Sequence, residues 1–101
     1  MADAAEYREL LETAEYSAQL ESFAQAYSDE VLEAALQGVL WGIATNPDRY
    51  ERVTANPDIW MARARSFNDD DPCFKIFFGI PNSHQVLLLW IEEIRSIDEI
   101  G

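Results

Sequence analysis

Asn46-Pro47 divides this chain into two hydrophobic regimes. Before it, Val31, Leu32, Ala35, Leu36, Val39, Leu40 and Ile43 recur at three- and four-residue spacing, the stripe of a helix buried along one side. The residue before a proline is pushed out of the helical region, so the helix stops at Asn46. Ser28 and Asp29 offer an N-cap, and Asp29, Glu30 and Glu33 put negative charge at the positive end of the helix dipole. Gly38 and Gly42 interrupt the stripe at a propensity cost of about 1 kcal/mol each, which predicts close packing against a neighbouring element.

After Asn46-Pro47 the period falls to two. Trp60, Ala62, Ala64 and Ser66 alternate with Met61, Arg63, Arg65 and Phe67, so a strand over 60–67 is predicted. Phe74, Ile76, Phe78 and Ile80 alternate with Lys75, Phe77 and Gly79, a second strand over 74–80. Val86–Ile91 is apolar throughout, as for a strand buried on both faces. Pro81-Asn82-Ser83-His84 is turn chemistry that closes the last two strands into an antiparallel hairpin. The loop Asn68–Pro72 joins the first strand to it, completing a meander. Ala44–Asp48 and Thr54–Asp58 share an Asn-Pro-Asp core, which marks turns rather than duplication.

The first thirty residues admit two readings. Tyr7, Leu10, Leu11 and Ala14 fit one helical stripe. Alternatively residues 7–12 form an edge strand, Thr13 caps a new helix, and Tyr16, Leu20, Phe23 and Tyr27 are its stripe. Periodicity does not separate them.

With 101 residues the chain makes one domain over 1–101, with room for a modest core. Its net charge of −12 disfavours sequence-independent binding to nucleic acid and to anionic membranes. A basic partner, or solubility alone, suits it better. Cys73 is the only cysteine, so no intramolecular disulfide forms. One Cys and one His do not make a soft-ligand metal site, and no cofactor is expected. With no apolar run of signal-peptide or membrane-spanning type, the expectation is a cytoplasmic protein.

The positive charge is unevenly placed. Residues 1–35 balance to −8, residues 36–68 to +1, and residues 69–101 to −5. Five of the seven cations lie between Arg49 and Lys75. Arg63 and Arg65 share one strand face about 7 Å apart, suited to bidentate phosphate binding. Lys75 begins the next strand, and Glu92 or Glu93 would serve as a base beside them. The plainer alternative is a solvated strand face ion-paired to Asp69–Asp71, Glu92 or Glu93. His84 is the one side chain whose ordinary pKa suits acid–base work near neutrality, and its turn position also suits simple exposure. Cys73 has Lys75 two residues on but precedes an apolar strand, and it reads as an inert thiol. Trp41, Trp60 and Trp90 read as core or interface aromatics.

In order, the elements and the text "LETAEYSAQLESFAQAYSDEVLEAALQGVLWGIATNPDRY", "IWMARARSF", "CFKIFFGI" and "QVLLLWIEE" resemble the RelE/ParE superfamily of type II toxin–antitoxin toxins over residues 7–94. Thr13-Ala14-Glu15-Tyr16 stands where members start their first helix with a Thr-Pro-Glu-Phe-like sequence. Asn46-Pro47 stands at their usual second-helix end, and Lys75-Ile76-Phe77-Phe78 matches the penultimate strand. The resemblance implies an α+β fold of order β-α-α-β-β-β, with two helices on one face of a small, mainly antiparallel sheet, and favours a first strand at 7–12. It also implies an antitoxin partner. The target would be ribosome-bound messenger RNA, cleaved without a metal through attack of a ribose 2′-hydroxyl, or DNA gyrase. The catalytic residues of such toxins lie on the helix-free sheet face, which nominates Arg63, Arg65, Lys75 and Glu92.

Two departures stand out. Ribosome-acting members are strongly basic, and many carry a catalytic Tyr or His near the C-terminus, whereas Arg95–Gly101 has neither. An acidic chain approaches ribosomal RNA against repulsion. The expectation is therefore a toxin fold with weak, altered or lost ribonuclease activity. The alternative is a non-catalytic protein-binding module, gyrase-directed or an orphan regulatory partner, using Met61, Phe67 and Phe77 beside the arginines. Homodimerisation through an edge strand or the Gly38/Gly42 face fits either reading.

Overall fold

The computed structural model describes residues 7–65 and 72–94. In chain order these form strand β1 (Glu9–Glu12), helices α1 (Ala14–Ala26) and α2 (Asp29–Thr45), a single 3-10 turn (Pro47–Arg49), and strands β2 (Glu51–Thr54), β3 (Ile59–Arg65), β4 (Cys73–Asn82) and β5 (Gln85–Ile94). The strands make one sheet of order β1-β5-β4-β3-β2. β1 runs parallel to β5, and the other neighbours are antiparallel. This is the expected α+β architecture, with one strand more than the sequence suggested.

The split reading of the N-terminus is the observed one, and Thr13 makes the break. Its hydroxyl accepts the Tyr16 N–H at 3.2 Å, capping α1. The same hydroxyl reaches the Leu88 and Leu89 carbonyls, each at 2.9 Å, and the Thr13 N–H donates to Leu88 O at 3.1 Å. One residue therefore ends β1, starts α1 and fastens both to β5. Ser28 caps α2 through its side chain, which accepts from Val31 N at 3.3 Å.

The additional strand is β2. Glu51 pairs with Met61 and Arg52 with Trp60, with an irregularity before Thr54. The second Asn-Pro-Asp is the turn of this hairpin, with a cis Asn56–Pro57 bond. The first Asn-Pro-Asp instead carries the chain out of α2 into the 3-10 turn. Asp58 locks the hairpin: its Oδ1 accepts from Arg52 Nε at 2.8 Å and Trp60 Nε1 at 3.1 Å, and the Arg52 guanidinium lies 5.6 Å from the Trp60 ring centroid.

A bulge in β5 decides which side chains reach the core. Phe77 pairs with Trp90 but Phe78 with Leu88, so Leu89 is the extra residue. Helix α1 takes up the disturbed backbone: Gln19 Oε1 accepts the Ile91 N–H at 2.8 Å, and Thr13 holds the Leu88 and Leu89 carbonyls. In consequence Val86, Leu88, Ile91 and Ile94 are buried beneath the helices, whereas Leu87, Leu89 and Trp90 face away and are only half-buried. The expectation that Val86–Ile91 is buried on both faces is corrected: the helices cover one.

Under the helices, Tyr16, Leu36 and Ile43 pack on Ala62, Phe74, Ile76 and Phe78. A Cβ at Gly42 would overlap the Tyr50 hydroxyl, so this glycine does permit close packing. Gly38 does not, since a Cβ there would meet nothing within 4 Å. Of the three tryptophans, Trp60 stacks on Phe78 and Trp90 on Phe77. Trp41 is exposed, edge-on to Tyr7. Cys73 is a half-buried free thiol. No helix among the described residues is long and apolar enough to cross a membrane.

Candidate functional site

On the face of the sheet away from the helices, three of the expected site residues fall in one transverse row. Arg63 is paired with Lys75, and Lys75 with Glu92. Their flanking residues point the other way: Ala62, Ala64, Phe74, Ile76 and Ile91 are all buried under the helices. Directly opposed residues on adjacent strands hold their Cβ atoms roughly 5 Å apart, so three charged side chains from β3, β4 and β5 emerge side by side. Arg65 follows in the next row, its backbone paired with Cys73; its side chain lies outside the described residues.

The electrostatics of this row are unbalanced. Like charges placed directly opposite destabilise a sheet, yet Arg63 faces Lys75. Glu92 stands opposite Lys75, but neither it nor Glu93 forms an ion pair within 4 Å with Arg63 or Lys75. Glu92 Oε2 accepts from Trp90 Nε1 at 3.0 Å, and Glu93 lies on the helix side, where it accepts a hydrogen bond from the Tyr27 hydroxyl. Among the described residues the ion pair within 4 Å is Arg52–Asp58, which belongs to the β2–β3 hairpin. Asp69–Asp71, the other expected partners, lie outside the described residues, as does Phe67.

The neighbouring row is apolar. Met61, Phe77 and Trp90 follow one another across β3, β4 and β5, and the Phe77 and Trp90 rings stack with centroids 4.6 Å apart and planes at 15°. Beyond them lies a groove of about 440 Å³ floored by Gly79, Leu87 and Leu89 and walled by Pro57 and Asp58. A Cβ at Gly79 would come 3.3 Å from the Asp58 carbonyl oxygen, so the β2–β3 turn closes tightly over the sheet at this glycine. Met61 and Phe77 thus share the arginine-bearing face as expected. Sequence reasoning missed the groove, because its wall depends on β2. The signal available was the turn chemistry of Asn56-Pro57-Asp58, with β-branched Val53-Thr54 just before it and a predicted strand just after.

His84 does not join the row. It sits exposed in the two-residue turn between β4 and β5, and Asn82, just before it, is seven positions along β4 from Lys75, roughly 23 Å. Its contribution is structural: its carbonyl accepts from Glu9 N at 2.8 Å, anchoring β1. Asn82 shapes the turn by accepting the His84 N–H at 2.8 Å. Among the described residues no three His, Cys, Asp or Glu side chains converge to hold a metal. Chemically, the row offers two cations for a phosphate or carboxylate and one carboxylate as a base.

No protein-family model, curated protein or solved structure matches this chain.

Proposed function

We propose that this chain is a toxin-like component of a type II toxin–antitoxin pair, of RelE/ParE type, with weak metal-independent endoribonuclease activity. The observation that carries the reading is the Arg63–Lys75–Glu92 row on the helix-free sheet face. A like-charged pair held side by side costs stability, and a site that must grip an anion is a reason to keep it. In this reading Arg63 and Lys75 hold the scissile phosphate and its developing charge, and Glu92 takes the proton from the attacking 2′-hydroxyl. The net charge of −12 keeps the activity low by opposing approach to RNA.

Messenger RNA cleavage on purified translating ribosomes tests this. The wild type is expected to cleave slowly, and Arg63→Ala/Lys75→Ala to lose about 100-fold or more of that rate, the scale of losing preorganised charge stabilisation. Cleavage unchanged in the double variant would sink the assignment.

A second reading is favoured by the row next door. Met61, Phe77 and Trp90 form an apolar strip rimmed by Arg63, Lys75 and Glu51, which suits a protein partner better than RNA. In that case the module binds without catalysis, directed at gyrase or at a regulatory partner. Wild type that leaves messenger RNA intact while still binding a protein through Phe77 and Trp90 would select it.

A further inference from the structure

The bulge in β5 grades the helix-free face from charged to apolar. In a regular strand Leu89 and Trp90 would point to opposite sides of the sheet. Here the extra residue turns both away from the helices, and both line the groove of about 440 Å³ with Leu87, Gly79 and Ile59. Along β4 the same face runs from Lys75 through Phe77 to Gly79. Four residues of strand cover about 13 Å.

The two ends set the chemistry of what fits between them. At the charged end, Arg63 and Lys75 against Glu92 leave a balance of +1, and neither cation has an ion-pair partner within 4 Å. One negative headgroup neutralises that row, whereas a doubly charged phosphate overshoots it. The other end is apolar. The charged residue in its wall, Asp58, is already ion-paired to Arg52 at 2.7 Å.

We propose that this face binds a free single-chain carboxylate, a fatty acid of about ten carbons. A zigzag of carbon–carbon bonds advances roughly 1.3 Å per atom, so about ten carbons span the distance from Lys75 to Gly79. The carboxylate meets Lys75 and Arg63. The chain crosses the stacked Phe77 and Trp90 rings, whose centroids are 4.6 Å apart, and its end enters the groove beside Gly79 and Leu89. A bilayer is a poor source for the same anion, because the net charge of −12 opposes approach to an anionic lipid surface. The binding goes beyond the cleavage reading and does not rest on it, since it is measured without RNA.

The test titrates the ¹⁵N-labelled full chain with hexanoate, octanoate, decanoate and dodecanoate below micelle-forming concentrations. Saturable one-to-one shifts are expected at Lys75, Phe77, Gly79 and Leu87–Trp90. Affinity should rise about two- to fourfold per added methylene up to decanoate and level off at dodecanoate. Lys75→Ala should bind decanoate about fivefold more weakly and 1-decanol as the wild type does. That split separates recognition of the charge from a general loss of packing. Affinity that ignores chain length, equal binding of decanoate and decylammonium, decanoate affinity unchanged in Lys75→Ala, or shifts spread over the helices would each overturn the proposal. A protein that cleaves messenger RNA but binds no decanoate overturns this proposal alone.

Discussion

Replacing Phe78 with alanine is expected to lower the unfolding free energy by about 4 kcal/mol, the cost of a large cavity in a packed core. Phe78 is 0% exposed on the central strand. Its ring lies parallel to Trp60 at 6.5 Å and edge-on to Tyr50 at 6.1 Å, so it joins β4 both to the β2–β3 hairpin and to the residues that follow α2. Rigid aromatic neighbours do not collapse into the space it would leave, which places the cost high in the usual range. A domain of this size is stable by roughly 5–15 kcal/mol, so one substitution removes a large share. Urea denaturation followed by tryptophan fluorescence measures it, with Phe78→Leu expected to lose only about 1 kcal/mol. An alanine variant within 1 kcal/mol of wild type would contradict the burial described here.

Tyr16→Phe should have the opposite sign at neutral pH and a different pH dependence. The Tyr16 side chain is 1% exposed, and its hydroxyl has no hydrogen-bond partner. Leaving a buried hydroxyl unsatisfied costs about 1–3 kcal/mol, so the phenylalanine variant is expected to be the more stable by about 1 kcal/mol. Burial, reinforced by the nearby Glu12 carboxylate, pushes the Tyr16 hydroxyl up from 10.0 to about 12. In the unfolded chain the group ionises near 10; in the native state it stays neutral until about 12. Between those values the unfolded state binds fewer protons, so native stability falls as pH rises, by about 1.4 kcal/mol per pH unit. The stability is full below pH 10 and roughly 2–3 kcal/mol lower by pH 12. Urea titrations of wild type and Tyr16→Phe at pH 9 to 12 should diverge steadily over that window. Parallel curves would mean that Tyr16 titrates normally.

How far the fold was legible varied with the kind of signal. Where one face is buried and the other is wet, alternation reports the strand directly, and β3, β4 and α2 were readable for that reason. β5 was recognised as a strand, but its uniform run concealed both the bulge at Leu89 and the uncovered face. Apolar residues on a half-open sheet look the same in sequence as residues buried on both sides. β2 was missed because four mostly exposed residues carry little hydrophobic pattern. Its existence depends on tertiary partners, Asp58 with Arg52 and Trp60. The same dependence hid the groove over Gly79. In the candidate site, the register that puts Arg63, Lys75 and Glu92 in one row follows from strand alternation and the hairpin. The loss of His84 from it follows from length, since a ten-residue strand carries the turn far from the row. Gly38 and Gly42 looked equivalent in sequence, and only the position of Tyr50 distinguishes them.

In the proposed function the helix-free sheet face acts through Arg63 and Lys75. Induced expression in a bacterial host, read as growth arrest, tests it most directly. Wild type is expected to arrest growth. Arg63→Ala/Lys75→Ala, folded with an unchanged or slightly raised urea midpoint because a like-charged pair has been removed, is expected not to. Equal arrest by both proteins at matched expression would contradict the account.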